Sequence, residues 1–282
     1  MDWSSPECST APTSAAPPSS SPPGFNCVKE MFVGEVAEQF QSRGITALTY
    51  DPRTLGESEG APRNDIDPIK QASDYSDALS YLRTLDVVDP DRIAFWGQSF
   101  AATVALCAAA LDRRAKCCIA VCPLLNFELA ATRARVLATA MRDRASQLAG
   151  NPPIFLPVLT AQGRNPAGLG LGASTDELDY MLNAQSRGAP NYQNQTTVQT
   201  YYKLLMWQPH GIMRYLESTP VLMVIPELDQ MSPPEEQRAL FDSFPEPKQV
   251  HVALGKGHLN VLSGDDFADL SALQAEVLLR HV

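Results

Sequence analysis

The chain has 282 residues, 44% of them hydrophobic, and a formal net charge of −10. That charge argues against nucleic acid as a partner, and no apolar run is long enough for a membrane span. The length suits one domain with a sizeable core and a large insertion.

Residues 1–23 are rich in Ser, Pro and Ala and read as a disordered tail. They have neither a basic start nor an apolar core, so no secretory signal is expected. Cysteines stand at positions 8, 27, 107, 117, 118 and 122. Their spacing fits no zinc or redox motif, and they read as reduced core residues of a cytoplasmic protein. The sequon Asn194-Gln195-Thr196 is then idle.

Order is expected from Gly24-Phe25-Asn26-Cys27. Val28–Arg43 reads as a helix with Phe32, Val36 and Phe40 on one face, stopped by Gly44. Ile45–Tyr50 reads as a strand, followed by a glycine-bearing loop from Asp51 to Gly60. Asp51 and Arg53 read as a structural polar cluster. Asp67 and Pro68 open the next helix, whose buried stripe is expected at Ile69, Ala72, Tyr75, Leu79 and Leu82.

Ile93–Trp96 is a short apolar run, so it reads as a buried strand. Gly97-Gln98-Ser99-Phe100-Ala101 follows, and then an Ala-rich helical run to Leu111. Strand, serine between small residues and helix together describe a nucleophile elbow. Small residues two positions either side let strand and helix approach. The hydroxyl then sits at the start of a helix whose free N–H groups favour developing negative charge. Ala101 stands where glycine is usual.

Lys116–Leu125 is nearly all apolar and reads as a strand buried on both faces. Asn126–Thr219 holds helical runs at Phe127–Leu148, Thr175–Gln185 and Thr196–Trp207 and no convincing strand, so it reads as a helical lid. The rest alternates again: strand Val221–Ile225, helix Pro234–Phe244, strand Gln249–Leu254 and helix Asp266–Arg280. The expected fold is α/β, a parallel sheet with helices on both faces. The core is 24–125 with 220–282, and the lid is 126–219.

A serine hydroxyl needs a base, and the base needs an orienting acid. On this fold the order is serine, acid, histidine. Of the four histidines, His210 lies in the insertion, His251 inside the last strand and His281 beside the C-terminus. His258, in the loop Gly255-Lys256-Gly257-His258, is the expected base. Asp229 follows the Val221–Ile225 strand and is the expected acid, with Glu227 as the alternative. An oxyanion hole is expected from the backbone N–H groups of Phe25 and Phe100. The histidines are too scattered for a metal site, and no cofactor is expected. The glycine-rich run 168–172 does not follow a strand, which sets aside a nucleotide site.

The segments GFNCVKEMF, YDPRTLGESEG, DPIKQASDYSDALSYL, DRIAFWGQSFAATVALCAAALDRRAK, ELDQMSPPEEQ and GKGHLNVL together resemble the fungal polyketide-transferase family of α/β hydrolases. The resemblance runs from about Gly24 to the C-terminus and puts Ser99, Asp229 and His258 on the family's triad positions. It implies a serine acyl hydrolase or acyltransferase in secondary metabolism. Such an enzyme takes a polyketide thioester from a synthase carrier domain and passes it to water or an alcohol acceptor. A carboxylesterase or lactonase has the same triad, and a non-catalytic scaffold is the third reading.

The departure is N-terminal. The resemblance implies a strand ending in His-Gly before the Phe-Asn segment, with earlier strands before it. Here Pro22-Pro23 stand in that place, and proline cannot donate to a central ladder. The N-terminal strands therefore read as missing. That leaves either a gap or direct pairing between the Ile45–Tyr50 and Ile93–Trp96 strands. A wrongly predicted exon, a degenerate copy and a partner-supplied edge each account for it.

Overall fold

The computed structural model describes residues 19–21, 24–171 and 175–282, with side chains described from 24 to 171 and from 178 to 282. In chain order the elements of the first half are β1 (Ser19–Ser21), α1 (Val33–Gln41), β2 (Ala47–Thr49), α2 (Pro68–Leu82), β3 (Ala94–Gln98), α3 (Phe100–Leu111) and β4 (Cys118–Val121). Between β4 and β7 come α4 (Arg133–Leu148), β5 (Phe155–Leu156), α5 (Thr175–Leu182), β6 (Thr196–Thr197), α6 (Val198–Met206) and α7 (Pro209–Met213). The chain closes with β7 (Val221–Pro226), α8 (Pro234–Ser243), β8 (Lys248–Ala253) and α9 (Phe267–His281).

Six strands form one sheet in the order β2-β1-β3-β4-β7-β8, and every pairing is parallel. Successive side chains of a strand point to opposite faces, and the central strands divide accordingly. Ala94, Trp96, Ile119, Val121, Leu222 and Val224 pack with α1 and α9 residues such as Val36, Phe40 and Leu278. Phe95, Cys118, Ala120, Met223 and Ile225 pack on the other face with α2 and α3 residues such as Leu79, Leu82 and Val104. Both faces are covered, which is why these strands are apolar without interruption. From Phe100 to Ala110 every residue of α3 is buried. Its alanines let it lie close to the sheet on one side and to α2 and α7 on the others.

Several elements differ from the sequence expectation. Ser19–Ser21, expected in the tail, form β1 and pair with Ala47–Thr49 on one side and Ala94–Phe95 on the other. The expected gap between β2 and β3 is therefore bridged, and those two strands do not pair directly. The expected prolines, Pro22 and Pro23, and Cys8 lie outside the described residues. Helix α1 starts at Val33 rather than Val28, because Phe32 before it takes a φ of 67°, which no right-handed helix accommodates. Val28 and Met31 are core residues of a turn. Similarly, β4 stops at Val121, and Cys122 leaves the strand with a φ of 41°.

In the expected stripe of α2, Tyr75, Leu79 and Leu82 are fully buried and Ala72 partly so, but the first residue is not. Ile69 is 61% exposed, while Gln71 and Asp74 are buried. Asp74 faces inward because the Arg53 guanidinium meets it with both Nε and Nη2. Arg53 thus pairs with Asp74, whereas Asp51 accepts the backbone N–H groups of Lys29 and Glu57 and so ties together two loops. The insertion holds a two-residue antiparallel ladder, β5 with β6, where no strand was expected. Thr197 ends that ladder and caps α6, its side chain accepting from the Thr200 N–H.

Candidate active site

In a parallel sheet, side chains on loops past the strand C-termini converge on one edge. Ser99 follows β3, Asp229 follows β7, and His258 follows β8. Ser99 sits at φ 58°, ψ −126°, a strained conformation for a residue with a Cβ. Its N–H donates to the Val121 carbonyl at 2.9 Å, and its own carbonyl accepts from Ala102 and Leu124. The turn is sharp enough that a Cβ on Gly97 would lie 2.4 Å from the Ala101 carbonyl oxygen, so position 97 tolerates only glycine. Ala101 fits in the place where glycine is usual. The Tyr75 hydroxyl, at 3.0 Å from the carbonyls of both Trp96 and Ala101, pins strand to helix from below.

His258 Nε2 lies 2.7 Å from Ser99 Oγ, and His258 Nδ1 lies 2.8 Å from Asp229 Oδ2. All three residues are buried. The Asp229 carboxylate is held from four directions. Oδ1 accepts the N–H groups of Met231 and Ser232, and Oδ2 accepts from Gln237 Nε2 at 2.9 Å and from the imidazole. Four donors replace the water a buried carboxylate loses. The other candidate acid, Glu227, instead accepts from the Gly255 N–H and is exposed.

Gly24 presses against the serine: a Cβ there would lie 3.4 Å from Ser99 Cβ and 3.8 Å from Oγ. Phe25, the next residue, stacks edge-on against Phe100 with ring centroids 5.4 Å apart. Phe100 opens α3, so its N–H has no acceptor within the helix. Phe100 also meets Trp207 and Phe127, which anchors the insertion to the elbow.

Above Ser99 lies a cavity of about 40 Å³, lined by Phe25, Phe32, Leu159, Leu171, Met181 and Leu259 among others. That is room for about one or two water molecules. Val158, Leu159, Leu171 and Met181 of the insertion contribute to this lining.

Sequence reasoning did not single out three neighbours of this site. Gln237 follows two glutamates in α8, yet it is fully buried on Asp229. Tyr75 reads only as a core residue. Cys122 donates to the His258 carbonyl at 3.5 Å, and burial beside Asp229 pushes its thiol well up. Its sulfur, a His258 nitrogen and an Asp229 oxygen lie within 4.8 Å of one another. Asp229 and the imidazole are bonded to each other, and further to protein donors and to Ser99 respectively.

The other histidines stand elsewhere. His210 lines an open groove beside Trp207 and Glu236, His251 lies within β8, and His281 ends α9. Gly168 packs against Thr132 in the insertion, where a Cβ would come within 2.8 Å of that hydroxyl. Gly172 lies outside the described residues. Cys27, Cys107, Cys117, Cys118 and Cys122 are free and buried.

A parallel sheet flanked by helices, with a serine elbow at its edge, defines an α/β hydrolase, and the sequence profile of the Alpha/beta hydrolase family matches residues 22–270. The chain belongs to that family and, within it, to the fungal polyketide transferases and thiohydrolases. It is 62% identical over 253 residues to a thiohydrolase of Eupenicillium brefeldianum, covering 89% of this chain and 82% of that one. It is 48% identical over 261 residues to polyketide transferase ATR5 of Stachybotrys chlorohalonatus, covering 91% and 86%. A solved structure of DcsB with its substrate analogue superposes with a TM-score of 0.91 at 45% identity, covering 95% of this chain and 92% of that one. Among the described residues no helix is long and apolar enough to cross a membrane.

Proposed function

We propose that this protein is a cytoplasmic serine acyl hydrolase or acyltransferase acting on a polyketide held as a thioester on a synthase carrier domain. Ser99 is the nucleophile, His258 the general base and acid, and Asp229 the residue that orients the imidazole. The observation that carries this reading is the unbroken chain from Ser99 Oγ through His258 to Asp229, at 2.7 and 2.8 Å. A spent scaffold has no reason to keep a strained serine and a buried carboxylate aligned.

In the first step His258 Nε2 takes the hydroxyl proton as Ser99 Oγ attacks the thioester carbonyl. The backbone N–H groups of Phe25 and Phe100 receive the oxyanion, in a site dry enough for two such donors to matter. His258 returns the proton to the departing thiolate, leaving an ester on Ser99. In the second step the imidazole activates water or an alcohol, which takes the acyl group and frees the serine. The relatives' names favour both endings, since one is a thiohydrolase and another a transferase.

Residues 126–219 act as a lid on a core of 24–125 and 220–282. The small apolar cavity beneath them supports this, because its lining includes Leu159, Leu171 and Met181 of the insertion, against which an acyl chain on Ser99 would pack. Closure then excludes competing water. The test is incubation with acyl-thioester mimics of graded length, with and without alcohols, followed by mass analysis. The reading expects thiol release that rises with apolar chain length and is lost in Ser99→Ala. Release that is equal in Ser99→Ala would end it.

A further inference from the structure

A second, larger pocket of about 560 Å³ lies against the catalytic cavity. The two share two walls, Phe32 and Leu259. Three elements contribute to both sides. The turn before α1 supplies Phe32, α5 supplies Tyr180 to the outer pocket and Met181 to the inner, and the loop after β8 supplies Leu259, next to His258. The Phe32 and Tyr180 rings meet at 5.1 Å, tilted by 48°, at the boundary between the two pockets. The left-handed φ of Phe32 turns its ring into that wall rather than onto the face of α1.

The two chambers differ in chemistry. The inner one is apolar. The outer one is lined by Glu30, Glu35, Glu38, Asn260 and Ser263; Glu30 is paired with Lys29, and Arg187, the cation among its described lining residues, is paired with Asp179. Leu259 puts the outer pocket on the imidazole side of Ser99, where proton exchange with leaving group and acceptor takes place.

We infer that the outer pocket is the acceptor subsite, and that it takes a neutral hydroxylated molecule rather than an anionic one, admitted past Phe32 to the acyl-enzyme. This rests on the acyl-enzyme chemistry proposed above. The acceptor O–H gives its proton to His258 Nε2 as its oxygen bonds to the acyl carbon. The bond from that carbon to Ser99 Oγ breaks, and Oγ takes the proton back from His258. The products are a free enzyme and a new ester.

The test uses the full chain, an acyl-thioester mimic, and paired alcohols of equal length that differ only in a terminal hydroxyl or carboxylate. The ratio of ester to free acid is read by mass analysis. The neutral alcohol is expected to give ester about fivefold better than the anionic one, since Glu35 and Glu38 each weigh about two- to threefold through water. The exposed double variant Glu35→Gln, Glu38→Gln is expected to bring that preference close to parity and to make it less sensitive to salt. Phe32→Trp, which enlarges the side chain shared by the two pockets, is expected to lower the ester-to-acid ratio about tenfold. Ester formation with neither alcohol, or a preference untouched by both variants, overturns the inference. Labelling of Ser99 by a small fluorophosphonate separates the two levels: if it persists while the ester ratio is unmoved, the subsite fails alone. If labelling and thiol release are both absent, the acyl-enzyme reading fails with it.

Discussion

Asp229 keeps its place in the site because four N–H donors converge on two oxygens, and Gln237 is the one of them that a single substitution removes cleanly. Its Nε2 bridges Asp229 Oδ2 and the Ser232 carbonyl, while its Oε1 has no hydrogen-bond partner. The amide thus ties the carboxylate to the backbone of the loop that carries it. Gln237→Leu removes one of the four donors that fix the carboxylate, so the carboxylate holds the imidazole less firmly in line with Ser99. The expected result is a fall of about tenfold in kcat with KM little changed, and rescue of most of it by Gln237→Asn or Gln237→His only where a donor again reaches Asp229. A loss of stability in urea with kcat unchanged would mean that Gln237 only packs.

At the scale of elements, the strand–turn–helix around Ser99 is the most demanding piece of the fold. Gly97→Ala puts a Cβ against the Ala101 carbonyl, where backbone must move. A loss of about 3 kcal/mol or more in urea unfolding is expected, or failure to fold. Ala101→Gly should cost only about 1 kcal/mol, as glycine in a helix does. The elbow was legible in the sequence because its determinants are local: an apolar strand, small residues at fixed offsets, and an alanine-rich helix. The order of Ser99, Asp229 and His258 was legible because each follows a recognisable strand. What was not legible depends on distant partners. Val28–Met31 continues the apolar spacing of α1, and only the backbone of Phe32 shows that the helix starts later. Asp74 turns inward because Arg53 reaches it from another loop, which periodicity within α2 does not reveal. The pairing of Phe155 with Thr197 joins residues about forty apart, and two-residue strands carry no alternating pattern. Ser19–Ser21 enter the sheet by backbone pairing, with no apolar residue to announce them.

At the scale of the molecule, the thiols report how completely the core is closed. Burial pushes the Cys27 and Cys117 thiols up to about 12, and Cys107, Cys118 and Cys122 are also raised by burial. At pH 8 a thiol at about 12 is ionised in roughly one molecule in 10⁴, and the thiolate is the reactive form. Iodoacetamide at pH 8 should leave the peptides containing these five cysteines unmodified in the native protein and alkylate all of them in urea. Rapid native labelling of Cys122 would show that the region behind His258 opens. The cavity over Ser99 makes a related demand on the insertion. A small fluorophosphonate should react at least about tenfold faster than one with a bulky rigid substituent, and Met181→Ala should narrow that difference, since Met181 roofs the cavity.

The most direct measurement is the site and rate of fluorophosphonate modification, read by intact mass and peptide mapping in the wild type, Ser99→Ala and His258→Ala. Convergence of the three side chains predicts a single adduct on the Ser99 peptide, none in Ser99→Ala, and labelling slowed by about 10³-fold or more in His258→Ala. An adduct on another residue, or labelling of Ser99 at an unchanged rate without the imidazole, would contradict it.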